Sequence, residues 1–125
     1  RKQPKGFGRN AQIEGDVVPG QNTLLVEDLT TDGGSKITFC KVLRESGAVV
    51  NHTVVVFYYD IFPETRSILD SHGITLHSLA TWNDILRICK KNNYFDKKVL
   101  EEVEVFLDSP LQWSGKNGGV NEIAN

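Results

Sequence analysis

Methionine is absent from all 125 residues, and cysteine occurs only twice, at Cys40 and Cys89. The two cysteines stand far apart with no CxxC spacing, so a thiol-based metal or redox motif is not expected. Both fall on apolar faces of helical patterns and read as buried thiols of a reducing, cytoplasmic protein. No apolar run approaches the roughly 18 residues of a membrane span, and no signal-peptide pattern opens the chain. Charge of one sign is missing too. The net charge is −2 with no basic stripe, which argues against a membrane surface or a nucleic acid as partner. His52, His72 and His77 have no standard ligand spacing, so no protein-held metal is expected and structural roles are assigned to them. Neither G-x-G-x-x-G nor a Walker A sequence follows any strand pattern.

Hydrophobic content of 39% and charged content of 24% lie slightly on the polar side of a globular domain, and the length fits one domain. Residues 1–19 are polar and glycine-containing, and read as a loop or hairpin. Thr23 to Asp28 reads as a short buried strand, and residues 34–46 as a helix closed by Gly47 at C′. The β-branched run through Val49, Val50, Val54, Val55 and Val56 marks a central strand. Pro63 suits the first position of a short helix over 64–71. A strand over 74–79 follows. Trp82, Ile85, Leu86 and Cys89 form an amphipathic stripe behind Thr81 as N-cap. Asp96 can cap a last helix with Val99, Leu100, Val103, Phe106 and Leu107 on its apolar face. From Ser114 the chain is expected to fray. Strands alternating with helices indicate an α/β fold with a largely parallel sheet.

The richest stretch is Glu27-Asp28-Leu29-Thr30-Thr31-Asp32-Gly33-Gly34-Ser35. Two carboxylates end an apolar run, a loop of hydroxyls and glycines follows, and a helical segment starts at once. Acids then lie at the carboxyl end of a strand, where open α/β sheets bind ligands. Backbone N–H groups lie at a helix start, where phosphate is favoured. A sugar phosphate suits both halves. Adjacent strand residues face opposite ways, so Asp28 is expected to meet the sugar directly. Glu27 would act through metal-bound water or hold a neighbouring lysine. Gly33 and Gly34 are expected to take positive φ and let the backbone approach a phosphate. Thr31 and Ser35 add hydroxyl donors, and Asp32 caps the helix that follows.

These residues resemble the phosphoribosyl-pyrophosphate motif of the type I phosphoribosyltransferases, and are most similar to its orotate phosphoribosyltransferase branch. The resemblance implies a Rossmann-like α/β fold with a parallel sheet flanked by helices. It also implies an acid pair on the ribose hydroxyls and residues Thr31 to Ser35 around the 5-phosphate. Leu29 and Thr30 complete the binding segment, and Thr31, usual in the orotate branch, would contact orotate. Arg1, Lys2 and Lys5 resemble the family's mobile catalytic loop. Lys2 and Lys5, with Asp28, would then be catalytic, closing on pyrophosphate across a homodimer with a shared site. Substrates would be phosphoribosyl pyrophosphate and orotate, with Mg2+ carried mainly on the former.

The resemblance covers the family's carboxyl-terminal part. Residues 1–113 would be that part of the catalytic domain, with 1–19 its mobile loop and 114–125 a flexible tail. The hood and the rest of the sheet have no counterpart, so the amino-terminal part is expected to be missing. Two departures stand out. Phe7 replaces a common histidine, and no Arg follows the Val54–Tyr59 strand to hold a base. Another phosphoribosyltransferase, or a non-catalytic sensor of the sugar pyrophosphate, are the alternatives.

Overall fold

The computed structural model describes residues 13–121. Its strands are β1 (Asn22–Thr30), β2 (Val49–Tyr58) and β3 (Thr75–Thr81). The helices are α1 (Gly34–Glu45), α2 (Glu64–Ser71), α3 (Trp82–Asn92), α4 (Lys97–Asp108) and α5 (Pro110–Lys116). The strands form one sheet in the order β1-β2-β3. β1 and β2 run parallel, with Leu25 opposite Thr53, Glu27 opposite Val55 and Thr30 opposite Tyr58. An α/β fold with a parallel sheet, as expected, therefore holds. The chain divides into two compact units after Leu79. That division falls inside β3, which is why no linker composition marks it.

In the first unit the core is Cys40 from α1, Leu69 from α2, Val50 from β2, and Ala48 and Ile74 at strand entries. Val17, Leu25, Ile37, Leu43 and Leu76 pack around it. All of this lies on the sheet face that carries Leu25 and Val50. The opposite face of β1 exposes Leu24 and Val26 at 51% and 65%. The expectation of a buried strand over Thr23–Asp28 is therefore corrected. β1 alternates, because the helices of this unit cover one face only. Burial pushes the Cys40 thiol up, with Arg44 opposing the shift, so Cys40 is a packing residue rather than a nucleophile.

The turns follow their chemistry. Gly47 takes φ 95° after α1, and its N–H donates to Arg44 O at 2.9 Å while Ala48 N donates to Leu43 O at 3.1 Å. Those bonds satisfy carbonyls that end a helix without donors. Pro63 stands at the N-cap of α2, one place before the helical position assigned to it from sequence.

In the second unit Thr81 and Asp84 close a capping box on α3. Asp84 is held below the usual carboxylate range, first by the Thr81 hydroxyl and then by Arg87. Asp96 does occupy the N-cap of α4, but its side chain makes no capping bond. The tail expected from Ser114 onward is also corrected, since α5 continues to Lys116. Pro110 starts that helix where a missing N–H costs nothing. Trp113 then anchors it: the indole Nε1 donates to Glu102 Oε1 at 2.6 Å, and the ring meets Phe106 edge-on at 5.3 Å. Lys90 of α3 pairs with Glu104 of α4.

Arg44 binds the first unit together in a way its sequence position does not announce. Its Nε donates to Val50 O at 3.0 Å, and its terminal nitrogens reach His72 O at 2.7 Å and Gly73 O at 3.0 Å. One guanidinium thus joins α1, β2 and the end of α2. Hydrogen bonds from a charged donor are stronger than neutral ones, and these acceptors are main-chain carbonyls with few alternatives. Arg44→Met is expected to lower unfolding free energy by about 2 kcal/mol. Urea denaturation with an unchanged m-value is the check; a shift under about 0.5 kcal/mol would mean water serves those carbonyls equally well.

Candidate functional site

β1 carries the acid pair farther into the sheet than its sequence suggests. Pairing continues to Thr30 opposite Tyr58, and Tyr59 N donates to Thr30 O at 3.0 Å. Glu27, Asp28, Leu29 and Thr30 are therefore strand residues. The turn to α1 consists of Thr31, Asp32 and Gly33 alone. The two acids separate as the strand period requires. Asp28 is exposed, whereas Glu27 turns toward α1 and meets Lys36 Nζ through Oε2 at 2.6 Å. Of the two roles open to Glu27, holding a lysine is the one present.

Lys36 is 2% exposed. Its ammonium also donates to Leu29 O at 2.7 Å and to Ser35 Oγ at 3.3 Å. Thr30 is buried at 3%. Leu29 is 40% exposed. Thr31 and Ser35 are half-buried and Asp32 and Gly34 exposed.

The two glycines differ. Gly33 takes φ 84° as the N-cap of α1, and a Cβ there would lie 3.2 Å from Thr65 Cγ2 and 3.4 Å from Leu69. Gly34 is the first residue of the helix and does not have positive φ. The expectation of two left-handed glycines is corrected to one, because the helix has already begun at the second. Asp32 does cap, from one place before the N-cap: its Oδ1 accepts from Gly34 N at 3.1 Å. Lys36 N donates to Gly33 O at 3.0 Å, and the N–H groups before it in the first turn have no acceptor inside the helix. They and the Thr31 and Ser35 hydroxyls form a donor cluster beside the Asp28 carboxylate.

Arg1, Lys2 and Lys5 lie outside the described residues. Among the described residues no three His, Cys, Asp or Glu side chains converge on a metal position. His52 and His77, on neighbouring strands, share a hydrogen bond of 3.1 Å between Nδ1 and Nε2. Sequence reasoning missed Lys36 as a site residue. A lysine in an amphipathic helix normally faces solvent, so its residue type gave no signal.

The contrast between the glycines gives a direct test. Gly33→Ala is expected to cost about 2 kcal/mol of stability, from left-handed backbone strain and the push on Thr65 and Leu69. Gly34→Ala should stay within about 1 kcal/mol of the parent, since alanine suits a helical position. Equal losses in thermal melting of the two variants would contradict the assignment of the turn.

No family model matches the sequence. Curated relatives do. The chain is 56% identical over 117 residues to orotate phosphoribosyltransferase of Roseobacter denitrificans, covering 94% of this chain and 52% of that one. It is 52% identical over 125 residues to the orotate phosphoribosyltransferase of Sinorhizobium medicae, covering 100% of this chain and 54% of the relative. Among solved structures, orotate phosphoribosyltransferase from Aeropyrum pernix superposes with a TM-score of 0.56 at 27% identity, over 74% of this chain and 50% of that one. Leishmania donovani UMP synthase shares the fold, with a TM-score of 0.67 at 24% identity, over 81% of this chain and 22% of that one. The chain thus spans about half the length of the curated relatives it matches. By sequence and fold together it is similar to about half of an orotate phosphoribosyltransferase.

Proposed function

We propose that this chain supplies the sugar-phosphate half of an orotate phosphoribosyltransferase site, acting in pyrimidine nucleotide synthesis. The reaction joins a ring nitrogen of orotate to the anomeric carbon of phosphoribosyl pyrophosphate. The bond from that carbon to pyrophosphate breaks, the leaving oxygen keeps the electron pair, and the proton of the attacking nitrogen passes to solvent or to the departing pyrophosphate. The products are orotidine 5′-monophosphate and pyrophosphate. One observation carries the reading: an exposed Asp28 at the carboxyl end of β1 stands beside the donor cluster of Thr31–Ser35, in a chain whose curated relatives bear that enzyme's name.

In this reading Asp28 accepts from the ribose hydroxyls, while the loop N–H groups and hydroxyls receive the 5-phosphate. Thr31, half-buried at the loop's start, is the proposed orotate contact. Arg1, Lys2 and Lys5 neutralise the departing pyrophosphate, and their loop serves the site of a second copy in a homodimer. The donor set here suits Mg2+ only as a guest of the substrate. The free carboxylate of Asp28, with no converging third ligand among the described residues, matches a cation that keeps most of its ligands on phosphate and water. Mg2+ so bound would stabilise charge on the leaving pyrophosphate. No helix of the described residues is long and apolar enough to cross a membrane, which is compatible with the cytoplasmic setting we propose.

Orienting base and sugar supplies several kcal/mol of such a barrier, and about half of the relatives' length lies beyond this chain. Pyrophosphate release with orotate and Mg2+ should therefore be trace for the 125-residue chain and substantial for the full-length protein. In the latter, Lys5→Ala should lower the rate about 10- to 100-fold, in line with the loss of a charge that faces a leaving group. Full turnover by the 125-residue chain would contradict the half-site reading. A full-length protein that binds phosphoribosyl pyrophosphate yet releases no pyrophosphate would point to a sensor instead.

A further inference from the structure

We propose that Lys36 and Glu27 are positioning residues that pre-orient the Ser35 hydroxyl as a donor to the 5-phosphate, leaving Asp28 as the sole ribose carboxylate. This inference rests on the sugar-phosphate reading of the site. A lysine ammonium has three hydrogens and no acceptor. Here three acceptors surround it: Glu27 Oε2 at 2.6 Å, Leu29 O at 2.7 Å and Ser35 Oγ at 3.3 Å. The Glu27 contact is an ion pair without hydrogen-bond geometry; enclosed by these three partners and 2% exposed, the ammonium touches no ligand itself.

The consequence falls on Ser35. Its oxygen must accept from Lys36, because the ammonium can only donate. Its single O–H hydrogen is then directed away from the lysine and left to donate elsewhere. A free serine hydroxyl would rotate among several acceptors; this one is held in the donor sense before an anion arrives. Such preorganisation avoids reorganisation on binding. Glu27 keeps the ammonium in place and is itself neutralised. Of the two adjacent acids only Asp28 then presents a net negative charge, which limits repulsion of a phosphorylated ligand.

The positions fix this arrangement. Glu27 and Leu29 lie on the β1 face toward α1, and Lys36 sits on the first turn of that helix. A single side chain thus ties the strand end to the loop hydroxyl across the turn at Gly33. Neither acid–base partner can be read as a direct ligand while the pair is intact.

Lys36→Met alone would strand the Glu27 carboxylate and lose stability for that reason, so the informative variant removes both charges, Glu27→Gln with Lys36→Met. The full-length protein carrying both changes, shown folded by its thermal melt, is expected to raise KM for phosphoribosyl pyrophosphate about tenfold with kcat within about threefold. Ser35→Ala should cost about tenfold in KM in the parent and under threefold in the paired background, because the hydroxyl has already lost its orientation. An unchanged KM in the folded paired variant, or an equal Ser35→Ala penalty in both backgrounds, overturns the inference while leaving the proposed reaction intact. Calorimetry of the parent with phosphoribosyl pyrophosphate separates the cases: no binding and no turnover there would overturn the reaction and this inference together.

Discussion

A lysine ammonium cannot be buried without acceptors around it, and that constraint organises the functional end of this protein. Lys36 is enclosed, paired with the Glu27 carboxylate and donating to Leu29 O and Ser35 Oγ. Losing any one acceptor would leave a charge poorly compensated in a site of low dielectric, at a cost of several kcal/mol. The path of the chain from Glu27 to Ser35 is therefore narrowly determined. Glu27 must face the helix, the Leu29 carbonyl must point inward, and the turn must be short enough to bring Ser35 alongside. Gly33 makes that turn possible at φ 84°. Asp28 is left on the outside by the two-residue period of the strand.

The rest of the first unit holds this corner in place. Thr53, fully buried on β2, donates from its hydroxyl to Leu25 O at 3.2 Å, which fixes β1 against its neighbour just upstream of the acids. Arg44 ties the far end of α1 to β2 and to the close of α2. Thr65 and Leu69 of α2 stand behind Gly33. Strand, turn and helix are thus secured at both ends, as a binding site on rigid elements requires.

Much of this was legible in the sequence, and the exceptions have physical reasons. The apolar spacings gave α3 and α4, and Thr81 before Trp82 gave the capped start of α3, because those signals are local. The start of α5 is local too, but Trp113 is stabilised by Glu102 and Phe106 in another helix, so a Gly- and Asn-rich end concealed it. β1 looked buried because its run is apolar; burial depends on what covers each face. Gly33 and Gly34 looked equivalent as a pair, and only the exact start of α1 separates them. At the site, the acid pair and the loop were plain from residue types. Lys36 was hidden because a lysine in an amphipathic helix normally faces solvent. Its role arises from the strand end opposite, which no local pattern records.

The central claim is that the sugar phosphate is held by Asp28 and the Thr31–Ser35 loop, with Glu27 committed to Lys36. A crystal structure of the full-length protein with ribose 5-phosphate tests it most directly. The account predicts the phosphate against Thr31–Ser35, the ribose hydroxyls at Asp28, and the Glu27–Lys36 pair unbroken. A phosphate seated elsewhere, or Glu27 released from Lys36 to hold the ribose, would contradict it.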